Sequence, residues 1–421
     1  MNKKYDVSVI GMGYIGLPTA LILAKAGKSV LGVDTSEKIV QNLQSGKIHL
    51  NESALKDLFI DCSLSKKIDF GCNLRSSHAY IICVPTPINK SKTADTSIVF
   101  EVVENLSNVL DNNDLVILES TCPVGTTEEI SKRLMELRPD LVTINSSGFK
   151  QTSVMLAYCP ERVFPGNTIK ELTDNDRVIG GLTPDCGKAA KELYKSFVSG
   201  DCFITSSKTA ELAKLTENAS RDAQISFANE IYKICDLEGV NVRELIKLCN
   251  KHPRVNILTP GIGVGGHCIA VDPWFLINKY PTLTKTMLSA RNTNLDQEQW
   301  VVEQVKAKII EFQRKYKKEP QLGVLGLSFK PNIDDFRNSP ALNIAQNLDQ
   351  LVDKLLIHEP NTDFLPNPFN NHKNLSFEQI FRRSDMIIGL VNNSIFARDK
   401  LAINVNDKQK LVDFCGIGNE F

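Results

Sequence analysis

The sequence predicts an α/β protein in which two parallel-sheet domains are joined by a central helical domain built on a long helix. Strand-like and helical segments alternate near both ends of the chain, a pattern typical of βαβ units. A glycine-rich turn follows the first strand-like segment, and the middle of the chain shows only helical spacing of its apolar residues. The chain has 421 residues, which at roughly 150 residues per domain is enough for two or three such units.

The N-terminal domain is predicted over residues 1–204. Its first strand, Tyr5–Ile10, is rich in apolar and β-branched residues and leads into GMGYIG and the helical segment LPTALILAKAG. Further buried strands are predicted at 29–34, 79–84 and 115–119, with helical patterns between them. Because parallel neighbours need crossover connections of this kind, the strands are expected to form one parallel sheet.

The central helical domain is predicted over residues 205–316. Apolar residues recur at helical spacing from about 209 to 249, with Gly239 as a stop, and again from about 284 to 316. The first of these segments is too long for an ordinary crossover helix. A glycine-rich loop at 260–268 separates the two helical segments.

The C-terminal domain is predicted over residues 317–421, after the charged segment KYKKEPQ. It returns to the α/β pattern, with strands at 322–327, 354–357 and 386–390 and a helix at 339–351. The glycines of its first strand are not spaced as GxGxxG, so no second dinucleotide site is predicted there.

Composition excludes several classes of function. Lys and Arg together number 49, as do Asp and Glu, so the formal net charge is zero and nucleic acid or an anionic membrane is not expected as the main partner. No apolar run reaches the roughly 18 residues of a membrane span, and the N-terminus does not resemble a signal peptide. The eleven cysteines form no CxxC pair and no Cys/His cluster with zinc spacing. We therefore expect reduced thiols, no metal site and a cytoplasmic location.

A dinucleotide site is predicted directly after the first strand. Gly11 permits a tight turn, Gly13 lets the backbone approach a pyrophosphate, and Gly16 lets the following helix pack closely. Tyr14 and Ile15 complete the turn, and the helix N-terminus offers N–H groups to the phosphates. The alternative is a glycine-rich turn that binds no ligand.

Three further residues extend this site. Asp34 ends the second predicted strand, where a carboxylate accepts hydrogen bonds from ribose hydroxyls and repels a 2′-phosphate, so the expected cofactor is NAD rather than NADP. Thr86 and Thr121 follow later strands, at the edge of the sheet where the rest of a dinucleotide would lie.

A candidate nucleophile, Cys268, lies in the sequence GIGVGGHCIAVDP at 261–273. Four glycines in six positions allow the backbone to fold tightly around a ligand and leave the next side chain exposed. Asp272 is near enough in sequence to act on water. Two interpretations remain open on position alone, namely a reactive thiol and a buried structural cysteine.

Several long segments, in order along the chain, resemble the UDP-glucose/GDP-mannose dehydrogenase family. Within that family, CNKHPRVNILTP at 249–260 and VDPWF at 271–275 are similar to the subfamily that acts on UDP-N-acetyl-D-mannosamine. The resemblance covers nearly the whole chain. The matching segments are VIGMGYIGLPTA at 9–20, AYCPERVFPGN at 157–167, KLTEN at 214–218, GVGGHCIAVDP at 263–273 and GLSFKPNIDDFRNSP at 326–340.

The resemblance implies a four-electron oxidation of the C6 alcohol of a UDP-sugar to a carboxylate, with two NAD per turnover. It implies that Cys268 forms a thiohemiacetal and then a thioester with the sugar, which water hydrolyses. Lys214 matches a lysine near C6 that stabilises an oxyanion or acts as a base, and Asn218 lies one helical turn further on. Asp272 and Glu161 match residues that activate water, and Thr121 matches a residue that orders it.

The resemblance also implies a set of residues that contact the ligands. Arg254 matches an arginine that in relatives can come from the neighbouring subunit, and Arg337 matches a residue that contacts the nicotinamide cofactor. Glu359 stands where many relatives carry aspartate, which leaves the local nucleotide contact open. The residues implied to bind the sugar nucleotide are Glu161, Arg162, Val163, Lys214, Asn218, Arg221, His252, Arg254, Gly265 and Lys330.

Each of these assignments has a structural alternative. Lys214 and Glu211 would form a surface ion pair if their helix face were exposed. Glu161 would cap a turn, and Arg254 would be an ordinary surface residue. The acidic Asp334 and Asp335 would neutralise the pair Lys330 and Arg337. His267, adjacent to Cys268, is expected to position the backbone rather than act as a base.

The leading hypothesis is oxidation of UDP-N-acetyl-D-mannosamine for a surface polysaccharide. The same chemistry on UDP-N-acetylglucosamine or UDP-N-acetylgalactosamine is the first alternative, because epimers differ by one substituent orientation. A two-electron hydroxyacid dehydrogenase would not need Cys268, and a non-catalytic nucleotide-binding module would need neither Cys268 nor Lys214. The long helix at 209–249 has an apolar face, which favours a homodimer or a higher homo-oligomer, although it would also suit packing within one chain.

Overall fold

A computed structural model describes residues 5–50, 52–143, 153–163, 167–399 and 410–417. The chain divides into two compact units, residues 1–216 and 217–421. Among the described residues, no helix combines the length and the apolar composition that crossing a membrane requires.

The first unit alternates strands and helices. Its strands are β1 (Tyr5–Ile10), β2 (Val30–Val33), β3 (Ile68–Gly71), β4 (Ser77–Ile82), β5 (Leu115–Leu118), β6 (Val142–Thr143), β7 (Ser153–Tyr158), β8 (Arg177–Gly181) and β9 (Cys202–Ser206). Its helices are α1 (Gly16–Lys25), α2 (Glu37–Gln44), α3 (Ser53–Ser65), α4 (Ser97–Ser107), α5 (Thr126–Leu137), α6 (Thr168–Asp174) and α7 (Pro184–Tyr194).

These strands form one sheet in the order β3-β2-β1-β4-β5-β7-β8-β9, with β6 paired to β7. All described pairs are parallel except β7 with β8. The order 3-2-1-4-5 is that of dinucleotide-binding folds, in which ligands bind at the carboxyl ends of the strands where the order reverses. That reversal lies between β1 and β4, so the turn after β1 is at the expected place.

The sheet is covered by apolar side chains on both faces. Val7 and Val9 of β1 pack with α1 and α3 in one buried cluster, whereas Ile10 packs with α4 and α5 in another. Burial on both faces explains why these strands are continuous apolar runs rather than alternating ones.

The second unit contains a set of helices followed by a smaller sheet. Its helices are the larger part of α8 (Ser207–Glu238), which begins in the first unit, α9 (Val242–Cys249), α10 (Asp272–Lys279), α11 (Lys285–Tyr316), α12 (Pro340–Asp349), α13 (Phe377–Arg383) and α14 (Ser394–Asp399), with a short 3₁₀ turn at Phe369–Asn371. Its strands are β10 (Leu322–Leu325), β11 (Leu355–His358), β12 (Met386–Gly389) and β13 (Lys410–Asp413), and they form an all-parallel sheet in the order β11-β10-β12-β13.

The predicted helical segment at 209–249 is two helices. Helix α8 ends at Glu238, and Gly239 follows with φ of +66°, a left-handed conformation that glycine adopts without steric cost. Helix α9 then starts anew, because the side chain of Asn241 accepts hydrogen bonds from the backbone N–H groups of Arg243 and Glu244. The stop at Gly239 lies where it was predicted, but the helix does not continue to residue 249.

Candidate active site

The glycine-rich turn after β1 has the geometry that a bound dinucleotide requires. Gly11 has φ of +94°, and a Cβ on Gly16 would lie 1.8 Å from the carbonyl oxygen of Gly11, so only glycine fits there. A Cβ on Gly13, by contrast, would meet nothing within 4 Å. The space above Gly13 is therefore open, and Ile15, the N-cap of α1, provides no side-chain cap to the helix amides. This arrangement fits a pyrophosphate on the amides of Gly13–Gly16.

Asp34 is held at the end of β2 by the same turn. Its Oδ2 accepts a hydrogen bond from the N–H of Met12 (2.8 Å), and its Oδ1 accepts one from the N–H of Ser36 (2.8 Å). The side chain is half-buried, and each carboxylate oxygen has further lone pairs for a ribose hydroxyl.

Replacing Asp34 by alanine is expected to weaken NAD binding by roughly 10- to 100-fold, the size of a lost hydrogen bond to a charged acceptor. NADP binding should weaken less, because the carboxylate that repels its 2′-phosphate is also lost. Calorimetric titration of the two dinucleotides measures both effects. Asp69→Ala on neighbouring β3 is the control, and an unchanged NAD-to-NADP affinity ratio in Asp34→Ala would remove Asp34 from the site.

Hydrogen bonds join the loop after β4 to the loop after β5. The hydroxyl of Thr86 donates to the backbone carbonyl of Thr121 at 2.5 Å, and the hydroxyl of Ser120 donates to the carbonyl of Val84 at 2.7 Å. The two threonines selected from the sequence are thus in contact at the carboxyl edge of the sheet.

Lys214 lies on the buried face of α8. Only 8% of its surface is exposed, and its ammonium donates to the backbone carbonyl of Glu161 at 2.5 Å. Glu211, one turn earlier, is fully buried and accepts hydrogen bonds from the N–H groups of Gly125 and Thr127 and from the Thr127 hydroxyl. The alternative of a surface ion pair between Lys214 and Glu211 is therefore wrong.

Glu161 is a carboxyl group with a pKa suited to acid–base catalysis near neutral pH. It is half-buried, and burial raises its pKa to about 7, although Lys214 and Arg177 act to lower it. Its Oε1 atom is buried without a hydrogen-bond partner among the described residues. An acid with a pKa near the working pH is an efficient general acid or base. The neighbouring Arg162 and Val163 are half-buried, and residues 164–166 of the same motif lie outside the described residues.

A buried charged group that was not identified from the sequence lies in the same unit. Glu119 accepts a hydrogen bond from the hydroxyl of Tyr194 (2.5 Å) and one from the thiol of Cys83 (3.2 Å), and its Oε1 is 3.8 Å from Arg177 Nη1. Arg177 begins β8, which pairs with β7 through Ala157–Gly181 and Tyr158–Gly180. The negative charge of Glu119 raises the pKa of Glu161, whereas the positive charge of Arg177 lowers it.

Cys268 lies in a turn that leads directly into helix α10. Its side chain is half-buried rather than exposed, and its carbonyl accepts hydrogen bonds from Val271 and Asp272. Asp272 is the first residue of α10 and is 2% exposed, and its Oδ2 accepts a hydrogen bond from Asn218 Nδ2 at 2.5 Å. Asn218 is one helical turn after Lys214 on α8.

The glycines before Cys268 are needed chiefly for packing within the protein. A Cβ on Gly265 would lie 2.4 Å from the carbonyl of Asn338, and one on Gly266 would lie 2.8 Å from the ring of Phe329. The interpretation that the glycines fold around a ligand is therefore incomplete, because the segment at 329–340 occupies that space. Gly261 has no neighbour within 4 Å of its Cβ position.

Residues 329–340 also carry the predicted Lys330 and Arg337. Arg337 is exposed and binds Asp335 through two nitrogens, with Nε 2.9 Å from Oδ1. Burial acts to raise the pKa of Asp335, but the hydrogen bonds from Arg337 outweigh it and leave that pKa below its usual range. Lys330 is half-buried, and His267 Nδ1 is 3.9 Å from Asp335 Oδ2.

Glu359 binds backbone groups within the second unit. It is 1% exposed, and its Oε2 accepts hydrogen bonds from the N–H groups of Leu327 and Ser328. Its Oε1 accepts from Asn361. This side chain thus binds the turn after β10.

The remaining predicted residues lie on α8 and after α9. Arg221, His252 and Arg254 are exposed, and the N–H of Arg254 donates to His252 Nδ1 at 3.3 Å. Arg254 lines a surface groove of about 440 Å³ together with Phe227 of α8. In the described part of the chain no three His, Cys, Asp or Glu side chains cluster as metal ligands would, and none of the eleven cysteines forms a disulfide.

Comparisons with known proteins bear on the whole chain. Three domain models of the UDP-glucose/GDP-mannose dehydrogenase family match it: the NAD binding domain over residues 5–198, the central domain over 208–295 and the UDP binding domain over 323–419. UDP-N-acetyl-D-mannosamine dehydrogenase of Escherichia coli is 45% identical over 93% of this chain and 94% of the relative. NDP-N-acetyl-D-galactosaminuronic acid dehydrogenase of Ralstonia nicotianae is 43% identical over 94% of each chain.

The fold comparison agrees with the sequence comparison. The structure of UDP-D-ManNAc dehydrogenase from Pyrococcus horikoshii has a TM-score of 0.86 and 33% identity, covering 99% of this chain and 96% of the other. The predicted fold class, with two parallel sheets and helices between them along the chain, is confirmed, and so is the resemblance drawn from the motifs. The chain therefore belongs to the UDP-glucose/GDP-mannose dehydrogenase family and is an NAD-dependent dehydrogenase.

Proposed function

We propose that the protein oxidises the C6 alcohol of UDP-N-acetyl-D-mannosamine to the carboxylate of UDP-N-acetyl-D-mannosaminuronate. The observation that carries this proposal is the turn from Cys268 to Asp272, in which the N–H of Asp272 donates to the Cys268 carbonyl and the buried Asp272 carboxylate is held by Asn218. A half-buried thiol followed by a fixed carboxylate suits an oxidation that passes through a covalent intermediate. A two-electron hydroxyacid dehydrogenase has no need for the thiol of Cys268.

In the proposed reaction, one alcohol, two NAD and one water give one carboxylate, two NADH and three protons. NAD, when bound, accepts a hydride in each of the two oxidations; the residues that would hold it are Gly11, Gly13, Tyr14, Ile15, Gly16, Asp34, Thr86, Thr121 and Arg337. The thiolate of Cys268 forms a C–S bond to the C6 aldehyde carbon, and the carbonyl oxygen takes up the negative charge. Hydrolysis of the later thioester breaks that bond and returns the thiolate.

The other polar residues supply charge and proton transfer. The buried ammonium of Lys214 stabilises the oxyanion that forms at C6, because a charge in a low-dielectric site interacts strongly. Glu161, with a pKa of about 7, accepts the proton of the attacking water, and Thr121 orders that water. Asp272, anchored by Asn218, supports the same step.

Two relatives of nearly equal identity are named for different sugars. The E. coli relative is named for UDP-N-acetyl-D-mannosamine, whereas the R. nicotianae relative, of nearly equal identity, is named for N-acetyl-D-galactosaminuronic acid. The second candidate substrate is therefore UDP-N-acetylgalactosamine, followed by UDP-N-acetylglucosamine. In this proposal the sugar nucleotide contacts Glu161, Arg162, Val163, Lys214, Asn218, Arg221, His252, Arg254, Gly265 and Lys330.

A substrate panel tests the proposal. Purified protein with excess NAD is given UDP-N-acetylmannosamine, UDP-N-acetylgalactosamine, UDP-N-acetylglucosamine or UDP-glucose, and NADH formation and the uronate product are measured. We expect the highest kcat/KM for the manno epimer. A higher kcat/KM for the galacto epimer would transfer the assignment to the second candidate, and no turnover of any of the four would overturn the proposal.

The domain boundaries, the cellular location, the use of the product and the assembly state are also proposals. We propose domains at 1–204, 205–316 and 317–421, a cytoplasmic location suited to the reduced cysteines, and a product used in a surface polysaccharide such as a capsule. Helix α8 exposes large apolar side chains, which supports a homodimer or a higher homo-oligomer. These side chains are Leu212, Phe227, Ile234 and Leu237.

A further inference from the structure

A buried amide clamp holds the start of the loop that carries Cys268. The Oδ1 atom of Asn229, on α8, accepts a hydrogen bond from the N–H of Gly261 at 2.9 Å. The Nε2 atom of Gln297, on α11, donates to the carbonyl of the same Gly261, also at 2.9 Å. Both side chains are fully buried. Two helices thus hold the N–H and the C=O of one loop residue.

A hydrogen-bonded chain fixes the orientation of the clamp. Asn229 Nδ2 donates to Asn294 Oδ1 (2.9 Å), and Asn294 Nδ2 donates to Asp222 Oδ1 (2.8 Å). Asp222 in turn pairs with Arg291, and both are 1% exposed. Because the Asn229 amide nitrogen is committed to Asn294, its oxygen must face Gly261.

The clamp residue and the Asp272 partner lie on one face of α8. Asn218, Asp222 and Asn229 are spaced by four and seven residues, which at 3.6 residues per turn places them along one stripe. Asn218 binds Asp272, after Cys268, and Asn229 binds Gly261, before it. Between these points Asn338 Nδ2 donates to the carbonyl of Gly266 at 3.2 Å. The loop is therefore anchored on both sides of Cys268.

We propose that Asn229 and Gln297 are positioning residues that set the place of Cys268 through Gly261. The inference rests on the proposed function only for the role of Cys268. A displacement of about 1 Å in a reacting group costs on the order of a hundredfold in rate, so a loop tied at one end only is a poor support for a nucleophile. The competing explanation is that the network merely joins α8 to α11.

The test compares variants of the full chain in loop mobility and in turnover. Gln297→Met keeps the side-chain length and removes the donor to Gly261. We expect faster hydrogen exchange in peptides covering 261–271, and a kcat lowered at least tenfold with the KM values of sugar and NAD within about twofold of wild type. If Gln297→Met does not fold, Gln297→Asn, whose side chain is one methylene shorter, should show the same faster exchange at 261–271 and the same lower kcat.

A control variant outside the network separates positioning from stability. Ser8→Ala removes a buried hydrogen bond to Ser77 in the first unit, so it should lower the melting temperature but leave exchange at 261–271 and kcat close to wild type. Wild-type kcat or wild-type exchange at 261–271 in Gln297→Met would overturn the inference. Turnover of the unmodified protein tests the proposed function. The hydrogen-exchange measurement tests the clamp whether or not the proposed function holds.

Discussion

Replacing Cys268 by serine is expected to reduce formation of the carboxylate product by roughly a thousandfold or more, the scale seen when a nucleophile is removed. A serine hydroxyl remains protonated near neutral pH, whereas a thiol has an accessible thiolate that adds to an aldehyde. Binding of NAD and of the sugar nucleotide should be retained, because neither depends on the covalent bond. Product analysis by mass spectrometry, together with calorimetric binding, measures both outcomes.

The control for this variant is Cys72→Ser, which changes an exposed thiol of the first unit. It should retain full activity. If Cys268→Ser formed the carboxylate at the wild-type rate, the covalent route would be wrong and Cys268 would be a structural cysteine.

Replacing Glu161 by glutamine is expected to lower kcat by about 10²- to 10⁴-fold, the usual contribution of a general base. The wild-type rate should rise with pH through about 7, because burial raises the pKa of Glu161 to about 7 and the base is its carboxylate form. In Glu161→Gln that ascending limb should be absent. A pH profile of kcat measures both effects, with Glu128→Gln, an exposed partner of Lys208, as the control.

The same substitution should stabilise the fold above neutral pH. The folded-state pKa of Glu161 exceeds the unfolded value, so its contribution to stability is present below the unfolded pKa and is lost as the pH rises through about 7. Glutamine has no charge to bury, so the melting temperatures of Glu161→Gln and wild type should diverge as the pH rises from about 4.5, the usual glutamate pKa, to about 7, and the gap should stay constant above that. An ascending limb retained in Glu161→Gln would assign the base to another residue.

The parts of the site that depend on local sequence could be predicted. Gly11 and Gly16 are dictated by backbone geometry within a single turn, and Asp34 is placed by the strand that it ends. The break after Glu238 was marked by a glycine, but its consequence, two helices rather than one, required the new N-cap at Asn241.

The parts that depend on distant contacts could not be predicted. Arg177 begins a short antiparallel strand, and its relation to Glu119 and Glu161 arises only when β5, β7 and β8 are placed in one sheet. The clamp on Gly261 unites side chains 32 and 36 residues away from that glycine. A sequence pattern shows that Asn229 and Gln297 are polar residues in helices, but not that both are buried.

The glycine-rich loop before Cys268 was predicted in the right place, but packing accounts for part of its glycine content. The sequence shows four glycines and indicates a tight loop, and the loop is there. Gly265 and Gly266 are required because Asn338 and Phe329 lie against them, which only the folded second unit reveals.

The measurement that tests the central claim most directly is the number of NADH molecules formed from each molecule of a limiting UDP-N-acetylhexosamine. Excess NAD and purified protein are used, and the ultraviolet absorbance of NADH is followed to its end point. Two NADH per sugar, with the uronate as product, is the result that a four-electron oxidation through Cys268 predicts. One NADH per sugar would mean that the reaction stops after two electrons, and the covalent role of Cys268 would be contradicted.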